Sequence, residues 1–327
     1  MKKTFLAILL LAAATPWGGA VETASGKLST VIGEDAVSVT ELSLTGTMDA
    51  RDFKYISDSM PQLSVLDISG VTIEEYSDRE PLFANFTYYP AGELPKYSLM
   101  GKPLTSVSLP STLTSIGEAA FAGCAELTEI SLPSTVATIG NYAFSSASKL
   151  ADVKGGEGVR TIGDYAFSDW TTVREIIIPS TVEYIGDRAM RNWNSLAELT
   201  SNAVTPPELG DNVWENVDYE KVNLTVPAAG EMAYRLAEQW QDFFKSSSAK
   251  PLAAESLRVA VDGDVVTITS GEEISTVQLF DMSGILLQSA APHSQQFSLT
   301  LSGYSGRAYV VRCVSGGNEK IIKISRQ

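Results

Sequence analysis

Apolar residues recur along the middle of the chain with a period far longer than that of a helix or a strand. Windows beginning at Leu104, Leu127, Leu150 and Val173 start 23 residues apart, with no gap. Ile116-Gly117, Ile139-Gly140, Ile162-Gly163 and Ile185-Gly186 fall in register. So do Ala120-Phe121, Ala143-Phe144, Ala166-Phe167 and Ala189-Met190. Within one copy, Leu127-x-x-Ile130-x-Leu132 alternates as a short strand with one buried face, and Pro133 ends it. A Ser-Thr pair follows, then Ile139-Gly140, read as a tight bend that glycine permits, and Ala143-Phe144 returns the chain. A single coil cannot bury its Leu, Ile and Phe, whereas stacked coils share one core. The predicted fold is an α/β repeat solenoid of about 23-residue coils, a period inside the leucine-rich range of about 20–29 residues.

The pattern L-x-x-I-x-L-P-S-T-V-x-x-I-G-x-x-A-F resembles the BspA-like, treponema-type leucine-rich repeats of bacterial surface proteins. Leu42-x-Leu44-x-Gly46 and Leu63-x-x-Leu66-x-Ile68 look like two earlier, diverged coils. On the far side, Thr205-Pro206-Pro207, Val222-x-Leu224-x-Val226-Pro227 and then Tyr234, Ala237, Trp240 and Phe243 look like that family's closing cap. The spacing of Tyr234, Ala237 and Trp240 predicts one helical face, and the helical cap is placed at 228–244. The ordinary leucine-rich family's Asn or Cys ladder position is absent. In the third copy Lys154-Gly155-Gly156-Glu157-Gly158 replaces Leu-Pro-Ser-Thr-Val. Without a following Lys-Ser/Thr it reads as turn variation, not a phosphate loop. Residues 76–101 form an insertion carrying Phe83, Phe86, Tyr88, Tyr89 and Tyr97. Two readings stand for it: a sticky aromatic binding surface, or a flap packed on the solenoid edge.

After residues 245–256, a short polar segment read as a linker, the periodicity changes to closely spaced alternation. About seven strands between 257 and 327, joined by Asp262-Gly263, Ser283-Gly284 and Gly316-Gly317-Asn318, predict a small all-β sandwich. Val277-Gln278-Leu279-Phe280-Asp281-Met282-Ser283-Gly284, with Gly306-x-x-Tyr309-Val310-Val311 and Lys320-Ile321-Ile322-Lys323, resembles the type A sorting domain of type IX secretion. The resemblance implies outer-membrane passage. Gly306-Arg307-Ala308-Tyr309 is longer than the family's Gly-Ile/Val-Tyr, and Ser325-Arg326-Gln327 follows the lysine motif. A plain accessory domain is the other reading.

The first twenty residues assign a compartment. Lys2 and Lys3 precede the apolar run Phe5 to Ala14, and Gly18 and Ala20 supply the small residues for cleavage after Ala20. Pro16 and the glycines close the run before it could span a bilayer, and no later stretch is long and apolar enough to do so. Removing Lys2 and Lys3 leaves 22 basic against 39 acidic residues, a formal charge of −17. Such a balance disfavours nucleic acid and anionic lipid as partners and favours basic or cation-bridged ones. Cys124 and Cys313, the only cysteines, both sit on apolar positions and read as unpaired small hydrophobes.

Chemistry for catalysis is sparse. The one histidine, His293, lies in a turn, so Ser-His-Asp, Cys-His and H-E-x-x-H arrangements cannot form in the repeats. Asp262-Gly263-Asp264 reads as a hairpin turn, not a calcium loop. No catalytic, cofactor-binding or metal-binding residues are expected. One constellation remains: Ser106, Glu129, Asp152, Glu175 and Glu198 occupy the same outward position of successive strands. Stacked about 4.8 Å apart, neighbouring carboxylates repel by roughly 0.9 kcal/mol in water. The adjacent outward row, Ser108, Ser131, Lys154, Ile177 and Thr200, offers only Lys154 in compensation. The row is either a docking face for a basic patch or bridging cations, or a solvated charged face. An open row lacks the pocket and unequal environments of a glycosidase acid pair.

The functional expectation is a non-catalytic binding module that is secreted or displayed on the outer surface of a Gram-negative bacterium. It would contact an extracellular protein or glycan along the strand face, with the aromatic insertion as a specificity element. A structural part in a cell-envelope assembly is the alternative.

Overall fold

The computed structural model describes residues 20–244 and 257–326. Apart from Ala20, the expected export signal at 1–20 lies outside the described residues, as does the expected linker 245–256. The chain divides into two compact units, Met1–Gly156 and Glu157–Gln327.

In the first unit, strands Val21–Thr23, Glu41–Met48, Val65–Ile73 and Ser106–Ser108 form a parallel sheet in that order. Its register aligns Leu42, Leu66 and Val107 in one buried row, so the two diverged coils expected from Leu42 and Leu66 are present. Strands Glu129–Leu132 and Asp152–Gly155 pair in the same sense. On the return side, Glu93–Leu94, Ser115–Ile116 and Thr138–Ile139 stack in parallel, aligning Leu94, Ile116 and Ile139. The last ten residues of the 76–101 segment therefore continue the coils.

Helix Ala50–Ser59 links the second and third strands of this sheet, and its ends are satisfied by side chains. Asp49 and Asp52 form a capping box, and the buried Asp52 carboxylate also accepts the N–H groups of Gly26 and Leu28 at 2.7 and 2.9 Å. At the other end buried Lys102 donates to the carbonyls of Ser57 and Met60, both at 2.8 Å, where a helix C-terminus favours a cation.

In the second unit, Thr161–Ile162, Tyr184–Ile185 and Glu208–Leu209 stack in parallel, as do Glu175–Ile178, Glu198–Ser201 and Asn223–Thr225. The cap departs from the single helix that the Tyr234, Ala237 and Trp240 spacing predicts. Helix Glu231–Leu236 stops, Ala237 is extended, and a 3-10 turn follows at Trp240–Phe244. The break has a cause at Gln239, which adopts φ 63° and turns its amide onto the last coil. That amide accepts from Val213 N–H at 2.8 Å and donates to the Gly210 carbonyl at 2.6 Å. Tyr234 and Trp240 still reach the same buried place, edge to face at 5.1 Å.

The C-terminal segment is an antiparallel β domain of six strands. One strand fewer than the sequence suggests is found because Val265–Phe280 is continuous through two of the expected strands. It shifts register between Thr269 and Ile274. Its first part pairs with Leu257–Asp262 and Ser294–Thr300, its second with Leu286–Ala290 and Ala308–Ser315, and Asn318–Ser325 closes the edge. The six strands thus form one hydrogen-bonded sheet, where a sandwich of two was expected. Val266, Ile268, Leu279, Leu299, Val311 and Cys313 belong to its core.

Two backbone features recur along the coils between residues 97 and 216. Left-handed residues recur in pairs four apart: 97 and 101, 119 and 123, 142 and 146, 165 and 169, 188 and 192, 212 and 216. Six turns are equivalent, against four copies counted from the apolar pattern. The second row is Gly101, Gly123, Ser146, Asp169, Asn192 and Asn216; all but Ser146 are types that tolerate this conformation. The Ile-Gly glycines have a different purpose from the bend expected of them. A Cβ on Gly117 would lie 2.4 Å from Leu94 O, and one on Gly140 would lie 2.8 Å from Glu118 N. Glycine here lets one coil's backbone approach the previous coil closely; its own φ is not positive. Gly155 does require a left-handed turn, at φ 74°, with the Leu132 carbonyl where a Cβ would sit.

Candidate interaction surface

Ser106, Glu129, Asp152, Glu175 and Glu198 are all exposed. In the first unit, Ser106 follows Val65 in the register of its sheet, and Asp152 lies directly beside Glu129. Lys154 bridges the two carboxylates, with Nζ 2.6 Å from Glu129 and 3.6 Å from Asp152. The hydrogen bond to Glu129, foremost, raises the Lys154 pKa. Being more than half exposed, this pair contributes little to stability. In the second unit Glu175 lies beside Glu198, which lies beside Asn223, whose amide donates to Glu198 at 2.8 Å. Among the described residues no cation pairs with Glu175 or Glu198. Ile177, in the next outward row, is 55% exposed.

The aromatic segment is mostly packed. Phe83 and Tyr89 are buried and meet edge to face at 6.1 Å, and the Tyr89 hydroxyl accepts from Phe83 N–H and donates to the Phe86 carbonyl. Half-buried Phe86 and Tyr97 stack at 6.0 Å, with Lys96 Nζ 4.0 Å over the Phe86 ring. Arg51 lies over Tyr76 at 4.9 Å, and Lys54 is 5.7 Å from the Phe83 ring. The Tyr97 hydroxyl donates to Glu118 at 2.6 Å, and that bond pushes its pKa up to about 12. Tyr88 alone of the five predicted residues is exposed.

Other side-chain rows escape the apolar pattern. Asn216 donates to Asn192 at 2.7 Å and Asn192 to Asp169 at 2.5 Å, along the left-handed positions. Asp164 accepts Asp187 N–H at 2.9 Å, and Asp187 accepts Asp211 N–H at 2.7 Å. The Thr of Pro-Ser-Thr donates backwards: Thr135 to the Ser111 and Leu113 carbonyls, Thr181 to those of Glu157 and Val159. Within each set the donor lies 22 to 24 residues after its acceptor, so a search for polar periodicity at the coil spacing would have found it.

Elsewhere, Cys124 and Cys313 are both free and buried, as their apolar positions suggested. His293 is exposed, its Nδ1 2.8 Å from Glu273. Asp262 pairs with Val265 across the expected hairpin. Among the described residues no group of three or more His, Cys, Asp or Glu is placed to hold a metal. No helix among them is long and apolar enough to cross a membrane.

Residues 92–220, the stretch carrying the six equivalent turns, match the family model described as the BspA type leucine rich repeat region, in six copies. Over these residues the coils are thus similar to leucine-rich repeats of that type. Similar solved structures include a leucine rich repeat protein of T. pallidum, 32% identical over 34% of this chain and 52% of that one, with a TM-score of 0.33. A leucine rich cell surface protein of Faecalibacterium prausnitzii is 23% identical over 51% of this chain and 41% of that one, with a TM-score of 0.35. A leucine-rich repeat protein of Bacteroides ovatus is 16% identical over 59% and 61%, with a TM-score of 0.33. The chain therefore spans between two fifths and two thirds of the length of these proteins. No curated protein matches it.

Proposed function

We propose that the coils form an extracellular, non-catalytic protein-interaction module that takes a basic surface on its outward strand face. The observation that carries this reading is the exposed, uncompensated pair Glu175 and Glu198, adjacent in register. Charge distribution supports it. Residues 21–244 hold 32 acidic against 14 basic side chains, whereas residues 257–327 hold six of each. Acidity is concentrated in the repeats, where it steers an oppositely charged partner. Export belongs to the same reading and rests on the charge and apolar pattern of residues 1–20, as a sorting function for the C-terminal domain rests on its sequence resemblance.

Immobilised extracellular-matrix proteins and glycans, probed at low and physiological salt, would supply the ligand class. Binding should weaken with salt, and Glu175→Lys with Glu198→Lys should weaken it at least about tenfold. Binding unchanged by the reversal at low salt would remove the strand face as the site. If no ligand binds and the protein fractionates with the native envelope, the structural alternative replaces this one.

A further inference from the structure

The C-terminal β domain has two apolar faces. Leu279 and Val311 belong to its own core, while Phe280 and Val310, their neighbours in sequence, point to the opposite side of the sheet. That second face is not open. Phe280 and Val310 are buried against Met232 of the cap helix, with Leu236 and Ile321 packed around them. Gly284 sits against the same helix, so close that a Cβ on it would lie 2.5 Å from Ala233 N. The turn that presents Gly284 is held by the Asp281 carboxylate, which accepts the N–H groups of Ser283 and Ile285, both at 2.9 Å.

Beside this patch lies a chain of two cations and two anions. Arg235 donates to Glu231 of its own helix at 2.8 and 2.9 Å and reaches Glu319 of the β domain at 3.4 Å. Its guanidinium lies 4.5 Å from the Phe244 ring, and its side chain is 18% exposed. Glu319 also binds Arg312, which donates to Gln278 at 2.8 Å. The four charges cancel, and Glu319 joins the cap's arginine to the domain's own. Such a planar, multiply bonded guanidinium fixes geometry in a way a lone surface pair does not.

We infer that the β domain is a lasting outer layer of the repeats' cap, latched through Arg235 and Glu319 over the Met232–Phe280–Val310 patch, and not a detachable tail. Its loss would uncover Met232 on one side and the Phe280 and Val310 face on the other. The inference does not depend on which ligand the strand face takes.

The test uses the full chain with a specific protease site introduced within residues 245–256. After cutting, the two parts should still co-elute on size exclusion at about 1–10 µM, where an interface of modest affinity persists. Arg235→Ala should weaken their association about tenfold or more, and Leu236→Glu should separate them. Circular dichroism of each uncut variant verifies folding; if Leu236→Glu fails that check, Arg235→Ala decides. Separation of the wild-type parts on cutting overturns the inference. Association unaffected by Arg235→Ala overturns the latch.

Discussion

Replacing Gly140 by alanine isolates the spacing function assigned to the Ile-Gly glycines. The new Cβ would lie 2.8 Å from Glu118 N, 2.9 Å from Gly117 C and 3.0 Å from Ile116 O, all backbone atoms of the preceding coil. None belongs to a side chain that could swing away, so the coils must part by several tenths of an ångström. The Gly140 N–H bond to Ile116 O, now 2.8 Å, would lengthen with them. Overpacking of this kind costs about 1–3 kcal/mol and a weakened hydrogen bond about 0.5–1.5 kcal/mol more. Reduced unfolded-state entropy offsets about 0.4–1 kcal/mol. The net expectation is a loss of roughly 2–3 kcal/mol, read as a fall in the urea midpoint of up to about 1 M at unchanged slope. Gly271→Ala is the matched control: its φ is not positive and nothing lies within 4 Å, so stability should hold or rise. A Gly140→Ala unfolding free energy within about 0.5 kcal/mol of wild type would refute the close-approach argument.

Two further expectations concern titrating groups. Burial raises the Glu93 pKa, only partly offset by Lys96 and Ser115, and its Oε1 is buried without a hydrogen-bond partner. A carboxyl whose folded pKa is raised contributes stability below its unfolded pKa and loses it as pH rises through the folded value. Glu93→Gln should therefore be more stable than wild type at pH 7 and lose that advantage near about pH 4; an advantage independent of pH would sink the assignment. The two thiols are also shifted by burial, Cys124 up to about 12 and Cys313 to about 11. Native protein at pH 8 should leave both unlabelled by a disulfide reagent while the denatured chain reacts at both, and rapid native labelling would contradict their burial.

The strand rows were legible because burial imposes alternation: Ile130 and Leu132 face inward, so Glu129 and Ser131 must face outward. The flanking turns were harder to see. At the first, Leu94-Pro95 and Ser98-Leu99 stand where later coils have Ile-Gly and Ala-Phe, and the step to the next coil is 22 residues. At the last, Val213-Trp214 follows Ala189-Met190 after 24 residues, which breaks a strict 23-residue count. Backbone conformation keeps the rhythm there, through Gly101 and Asn216 at equivalent left-handed positions. The cap's break at Ala237 could not be read from spacing, because it depends on where the Gln239 amide finds partners on the preceding coil. Asn223 was missed for a related reason: only register places it beside Glu198.

The tryptophans give the molecule an optical asymmetry. Trp170, Trp193, Trp214 and Trp240 follow one another through the second unit with centroid separations of 5.9, 6.5 and 5.4 Å, all fully buried. Trp17, the remaining one, lies in the segment expected to be removed on export. Among the described residues, indole emission thus reports only on the coils from Trp170 onward and their cap, and rings this close exchange excitation, so loosening one alters the spectrum of all. The coils before residue 157 are dark to the same measurement but contribute to far-ultraviolet dichroism. Recording both signals in one denaturation would show which end of the repeats lets go first, with no label added to the chain.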